Sequence, residues 1–385
     1  MQILIVPQEL KGSLTAAAAA DAIAAGLRRA VPAELDLLPL ADGGPGTLDA
    51  LLAARGGALH TARVCGPLQD SSVMARFGVF ADTAAVLETA EANGLALLAQ
   101  LGLPQNPAQA TTRGVGELVR AALDAGCRRF LLGIGGSATN DGGAGMAQAL
   151  GFRLLNADGL DLAPGAAPLA QLARIDGSNA DARLAECTFD VAVDVQNPLC
   201  GPQGATAVYG PQKGVRPEQV ADLDAALRRL GETIARDLGR NVLELPGAGA
   251  AGGLGAGLVG FLGARLRPGF EIVAEAVELE RHVAGADLIV TGEGRLDEQT
   301  PFGKTIAGVS LMAQRHGKPV VALVGGIAAG FQPSAVAGLT AAFALTSRPL
   351  ALEEAQAEAY PLLEALAEQV GRLIGIVGVP VPPVQ

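Results

Sequence analysis

Tryptophan is absent from this 385-residue chain, and aromatic residues make up only 3% of it. A surface that stacks nucleobases is therefore short of material. Histidine is nearly missing as well. His60, His282 and His316 stand far apart, which leaves a His-rich zinc site without a ligand set, and no G-x-S-x-G accompanies them for Ser-His chemistry. Cys65, Cys127, Cys187 and Cys200 show no C-x-x-C spacing, and the opening MQILIVPQEL reads as a first strand rather than a signal peptide. A reduced cytoplasm is the expected compartment. The 28 basic residues form no dense cluster and are outnumbered by 39 acidic ones, a net charge of −11, so nucleic acid is not an expected partner. Residues 245–264, LPGAGAAGGLGAGLVGFLGA, carry no charge, yet eight of them are glycine. Such a stretch lacks the bulky apolar surface that drives insertion, and it reads as a glycine-rich loop running into a buried helix, with no membrane partner.

What remains is an interior of small aliphatic side chains. Half the residues are apolar, and with so few rings the core must be built of Ala, Leu and Val, which suits helices packed closely on a sheet. The length predicts about two domains. ILIVP is a strand, QELKGS a polar loop, and LTAAAAADAIAAGLRRAV a helix with Thr15 as its N-cap. ELDLLPLADGGPGT followed by LDALLAA repeats that plan. The same βα rhythm returns at ADLIVTGEG, KPVVALVGG and LTAAFALTS. Between them, SVMARFGVFA and AAVLETA alternate with period two and predict antiparallel pairing, mixed with the helices GVGELVRAALDAG and VADLDAALRRLGETIARDLG. The expectation is an α/β protein: a Rossmann-like parallel-sheet domain built from both chain ends, residues 1–61 and 286–385, with a mixed α/β domain, 62–285, inserted. The tail PVPPVQ reads as disordered.

In open α/β sheets ligands gather at the carboxyl ends of strands. Five polar stretches follow predicted strands: PQELKGS, ADGGPGT, GIGGSATNDGG, VDVQNPLCG and TGEGRLDEQTPFGKT. In GIGGSATNDGGAG, residues 133–145, six glycines accompany Ser137, Thr139, Asn140 and Asp141. Bare backbone lets N–H groups approach an anion, and the predicted helix GAGMAQALG would point its positive end the same way, so Gly135, Gly136, Ser137, Thr139, Asn140 and Asp141 are candidate phosphate ligands. The stretch is not a dinucleotide fingerprint, since Ala138 takes the third glycine's place. FGKT is not a Walker P-loop, because Glu298 stands where its first glycine is needed, although Lys304 and Thr305 could still touch phosphate. Lys11 and Ser13 offer a cation and a hydroxyl beside a strand end, and Arg295 could clamp a carboxylate. Asp42, Asp194, Glu293 and Asp297 supply what phosphoryl transfer needs besides an anion cradle: oxygen ligands for Mg²⁺ and a carboxylate to orient or deprotonate a hydroxyl.

KGSLTA, LADGGPGT, GIGGSATNDGGAGMAQALG, NPLCGPQGA, YGPQKG, LPGAGAAGGLGAGL and ADLIVTGEGRLDEQT occur in this order, and together the chain resembles the bacterial class I glycerate kinases over residues 1–370. The resemblance implies phosphorylation of D-glycerate, usually to 2-phosphoglycerate, by a two-domain α/β enzyme that uses ATP and Mg²⁺ in a cleft between its domains. Carried onto this chain, it implies that Lys11, Ser13 and Arg295 bind glycerate, that Gly135 to Asp141 hold the ATP phosphates, that Asp194 and Asp42, with Lys11, serve the reacting hydroxyl, and that Glu293 and Asp297 face Mg²⁺. Four places depart from the family pattern. Gln8 and Glu9 replace an acid and a serine, Pro45 a glutamate, Gln196 a second aspartate, and Pro301 and Phe302 a Leu-His pair. A kinase of another small hydroxy acid, or a non-catalytic ligand-binding relative, is the alternative. Oligomeric state, including a homo-oligomer, stays open.

Overall fold

The computed structural model describes residues 1–298, 300 and 305–377, and for 376 and 377 the backbone alone. Pro301, Phe302, Lys304 and the tail PVPPVQ, each singled out above, lie outside the described residues. Among those described, the strands in chain order are β1 (Gln2–Pro7), β2 (Glu34–Leu37), β3 (Ala58–Cys65), β4 (Ser72–Val79), β5 (Ala84–Glu88) and β6 (Arg129–Gly133). They continue with β7 (Arg153–Leu155), β8 (Arg174–Asp176), β9 (Thr188–Ala192), β10 (Arg265–Arg267), β11 (Leu288–Gly292), β12 (Val320–Val324) and β13 (Ala341–Ala344).

Two compact units divide the chain: residues 1–42, 49–54 and 273–385 form one, and 43–48 with 55–272 the other. The crossings fall earlier than the sequence rhythm places them, for two local reasons. β3 is paired along its whole length with β4 in the second unit's sheet, and the helix Leu279–Gly285 packs beside β1 and the helix Thr305–Arg315 of the first.

In the first unit the sheet runs β13-β12-β11-β1-β2 with every pair parallel. Its strands are near-continuous apolar runs, as a sheet covered on both faces requires: Ile3, Leu4, Ile5 and Val6 are all buried. The alanine-rich helix Ala16–Ala30 starts where Thr15 Oγ1 accepts the Ala18 N–H at 3.2 Å. Its small side chains lie against the C-terminal helix Ala359–Val377, so the two pack closely. From β1 the chain moves outward to β2, whereas β11, β12 and β13 step away on the other side. The order therefore reverses between β1 and β11, and the loops after these two strands flank the switch point.

The second unit's sheet runs β10-β9-β6-β5-β4-β3. β10, β9, β6 and β5 are parallel, and β4 and β3 continue antiparallel, with Gly78 facing Val86 as the alternation predicts. The helix Arg113–Asp124 covers one face through Val115, Leu118, Val119 and Ala122. Residues 250–262 form a buried helix as expected, but Ala251, Gly252 and Gly253 turn left-handed, with φ of 54°, 71° and 84°, before it becomes regular. Among the described residues no helix is long and apolar enough to cross a membrane.

Candidate active site

The glycine stretch leaves β6 at Gly133, and neighbouring strands set its height: Gly133 is level with Glu88 on β5 and Ala192 on β9. Three of the five polar stretches thus converge within the second unit. The first is the glycine loop. Asp194, two residues past β9, is the second. The third is the turn from Gly43, whose carbonyl oxygen lies against Gly133 and whose Cα backs onto Ala192, with Gly44 and Pro45 beside Gly135.

Residues 136–138 are pinned along one edge. Leu95 N–H donates to Gly136 O at 2.8 Å, and Ala138 N–H to Asn93 O at 2.8 Å. Gly136 adopts φ +74°, open to glycine and strained for a side chain. Among the described residues the N–H groups of Gly135, Gly136 and Ser137 meet no acceptor, and Gly135 and Gly136 are exposed. Successive free amides on a curved backbone form an anion-binding concavity.

The polar side chains of the same stretch turn inward instead. Thr139 Oγ1 accepts from Asn93 Nδ2 at 3.1 Å, and Asn140 Nδ2 donates to Thr206 Oγ1 at 3.0 Å. Asp141 is fully buried, and its carboxylate accepts from Thr112 N (2.8 Å), Thr112 Oγ1 (2.9 Å), Gly143 N (3.2 Å) and Gly145 N (3.2 Å). Burial raises the Asp141 pKa, and those four donors oppose the rise. The helix that follows, Ala144–Ala149, is short. Its first-turn amides are taken by Asp141 and by Thr112 Oγ1, which accepts from Met146 N at 3.0 Å, and so do not point at a ligand. Behind the loop, Gly252 O accepts the Gly142 N–H at 3.1 Å, and a Cβ on Gly252 would lie 2.0 Å from Thr139 O. The uncharged glycine-rich segment is thus the back wall of the loop.

Beneath the loop lies Lys213, 2% exposed, whose Nζ donates to Ser137 Oγ at 2.9 Å and Thr139 O at 2.7 Å. Burial lowers its pKa to about 7, with the Asp141 charge pulling the other way. Sequence reasoning gave no role to Lys213, Asn93, Thr112 or Thr206. Lys213 sits in the motif YGPQKG, where a lysine between glycines looks like any solvated one. Asn93 follows the β5 end in ETAEANG, a position the strand-end rule covers.

Asp194 is exposed, and its Oδ1 accepts the Gly269 N–H at 2.9 Å, at the start of the helix Gly269–Ala276.

In the first unit the loops after β1 and β11 lie side by side at the switch point, since a Cβ on Gly294 would come within 3.2 Å of Lys11 N. Lys11 and Arg295 are exposed there. Ser13 Oγ donates to Leu10 O at 2.8 Å and closes its own turn. Asp42 Oδ2 accepts from Gln8 Nε2 at 2.6 Å. Burial, followed by the Asp42 charge, raises the neighbouring Glu9 pKa, against the pull of Lys11. Glu293 is buried, and its Oε1 accepts from Thr300 Oγ1 at 3.0 Å, which itself accepts the Asp297 N–H at 3.1 Å. One hydroxyl therefore fixes both Glu293 and the backbone of Asp297. Among the described residues no group of three or more His, Cys, Asp or Glu side chains forms a ready-made metal cage. Two carboxylates suit Mg²⁺, which keeps waters and takes phosphate oxygens rather than a full protein cage.

Residues 3–375 match the family model described as the glycerate kinase family. The chain is 45% identical to a glycerate kinase of Bacillus subtilis (strain 168) over 376 residues, 97% of this chain and 98% of that one. It is 43% identical to a glycerate 2-kinase of Escherichia coli (strain K12) over 362 residues, 94% of each. A crystal structure assigned as a glycerate kinase 2 from Salmonella typhimurium LT2 superposes with a TM-score of 0.88 at 45% identity, covering 98% of this chain and 99% of the other.

Proposed function

The chain belongs to the glycerate kinase family and is a kinase; on that premise we propose that it transfers the γ-phosphoryl group of ATP to the 2-hydroxyl of D-glycerate, giving 2-phosphoglycerate and ADP. The observation that carries this reading is the row of N–H groups at Gly135, Gly136 and Ser137 beyond β6 that meet no acceptor among the described residues. They are fixed dipoles that meet phosphate oxygens without reorganising. Ser137, Thr139, Asn140 and Asp141 keep the loop in shape from beneath, through the hydrogen bonds described above.

Lys11 and Arg295 would hold the glycerate carboxylate, with Ser13 supporting the turn that carries Lys11. Asp194 or Asp42 would accept the hydroxyl proton as the oxygen attacks the γ-phosphorus and the bond to ADP breaks. Glu293 and Asp297 would hold Mg²⁺, which neutralises charge on the phosphate oxygens when bound. A reaction that draws on ATP fits the cytoplasm.

The direct assay is ADP release with D-glycerate, ATP and Mg²⁺, followed by product analysis. Enolase should dehydrate the product without added phosphoglycerate mutase. A requirement for the mutase would place the phosphate on the 3-hydroxyl. A second reading, a kinase of another small hydroxy acid, draws on Gln8, whose amide binds Asp42. It would be favoured if a panel of hydroxy acids contains one with a higher kcat/KM than D-glycerate.

A further inference from the structure

A lysine this deeply buried is unusual, because removing an ammonium from water costs far more than removing the methionine or leucine that would fill the same space. Lys213 nevertheless ends the short 3₁₀ turn Pro211–Lys213 with its Nζ against Ser137 Oγ and Thr139 O. These two contacts are 76 and 74 residues away in sequence, and they bracket Ala138 on the loop's inner side. An ammonium has three N–H donors, so the two bonds leave one uncommitted among the described residues. The charged group that faces it is Asp141, whose carboxylate is already occupied by four donors from Thr112, Gly143 and Gly145. A positive charge thus lies under a loop whose other side exposes free amides.

We propose that Lys213 is a positioning residue for the nucleotide: it holds Ser137 and Thr139 so that the Gly135–Ser137 amides face outward, and its charge is balanced when a polyphosphate binds above. This rests on reading the loop as a phosphate cradle. A bound polyanion favours the charged lysine, so nucleotide binding takes up a proton whenever the free protein holds Lys213 neutral. Below pH 7 the lysine is charged in both states and adds no pH dependence. Above pH 7 the free protein must first gain a proton, and affinity falls by up to tenfold per pH unit until the bound-state pKa is reached. An arginine at 213 stays charged throughout and removes that slope.

The test is calorimetric titration of a non-hydrolysable ATP analogue with Mg²⁺ between pH 6.5 and 9, in two buffers of different ionisation enthalpy. Wild type, Lys213→Met, Lys213→Arg and Gly136→Val are compared, with melting temperatures as a check on folding. The analogue's own ionisation is common to all four proteins, so the difference in slope between wild type and Lys213→Arg isolates Lys213. Lys213→Met should bind at least tenfold more weakly at pH 7 and lack the wild-type excess slope and proton uptake. If Gly136→Val loses binding while a folded Lys213→Met matches wild type in affinity and slope, the inference fails and the cradle stands. If Gly136→Val also binds normally, the cradle itself is wrong. Should Lys213→Met not fold, equal slopes in wild type and Lys213→Arg overturn the proposal on their own.

Discussion

Replacing Gly252 by alanine tests whether the loop's shape, rather than its mere presence, supports catalysis. Gly252 has φ +71°, and the Cβ of an alanine would sit 2.0 Å from Thr139 O and 2.8 Å from Asn140 Cα. A comfortable contact needs about 3.4 Å, so Thr139 must retreat by about 1.4 Å or the left-handed turn must open. Thr139 O is also an acceptor for Lys213, so the retreat would pull on the support beneath Ser137. The left-handed conformation costs an alanine about 1–2 kcal/mol, and the clash adds about 1–3 kcal/mol of the kind seen on overpacking a core. A displacement of about 1 Å at a substrate-positioning element lowers the rate by about 10²-fold. Steady-state kinetics should therefore show kcat/KM for ATP reduced by about that factor, with a melting temperature several degrees lower. Gly239→Ala is the control, because Gly239 has φ +70° with nothing within 4 Å of a Cβ. It carries the backbone strain alone and should leave kcat/KM unchanged. If Gly252→Ala folds and keeps kcat/KM for ATP within twofold, the left-handed turn does not set the loop's geometry.

Gly136→Val puts a branched side chain at φ +74° on the exposed edge of the cradle and should raise KM for ATP or abolish turnover while circular dichroism stays native; unchanged ATP kinetics would make the loop a packing turn. Asp194→Asn should lower kcat by about 10² to 10⁴, the range for lost general-base action, and since an amide oxygen can still accept the Gly269 N–H, stability measured by urea unfolding should change little. Near-normal kcat would hand the base role to Asp42. Gln196→Asp should leave kcat for glycerate within about tenfold, measured in the same assay. Thr300→Val removes the hydroxyl shared by Glu293 and Asp297; it should cost about 1–3 kcal/mol of stability and raise the Mg²⁺ concentration for half-maximal activity, and an unchanged Mg²⁺ dependence would detach these carboxylates from the metal.

The strands were legible because a doubly covered parallel sheet writes itself as short apolar runs, and ILIVP, DLIVT and VVALV could hardly be anything else. Position at a strand's carboxyl end then marked the glycine stretch and Asp194 without any knowledge of tertiary structure. What could not be read was the direction of side chains in the loop. Thr139, Asn140 and Asp141 look like ligands beside glycines, yet each turns inward because residues 46, 66 and 29 positions away supply its partners. The left-handed turn at 251–253 was hidden for a related reason: a run of Gly and Ala is compatible with loop or helix, and only the approach of Thr139 O requires the bare backbone. The second crossing was read at 285 rather than 272 because the helices at 269–276 and 279–285 interrupt the βα rhythm with no strand to mark which unit they join.

Amide hydrogen exchange at Gly135, Gly136 and Ser137 tests the central claim most directly. Among the described residues these N–H groups have no acceptor, and Gly135 and Gly136 are exposed, so the glycine amides should exchange fast in the free enzyme. Binding of a non-hydrolysable ATP analogue with Mg²⁺ should slow them strongly while Leu95 and Ala138, already bonded, change little. Protection that appears elsewhere and leaves residues 135–137 exchanging at their free rate would contradict the account.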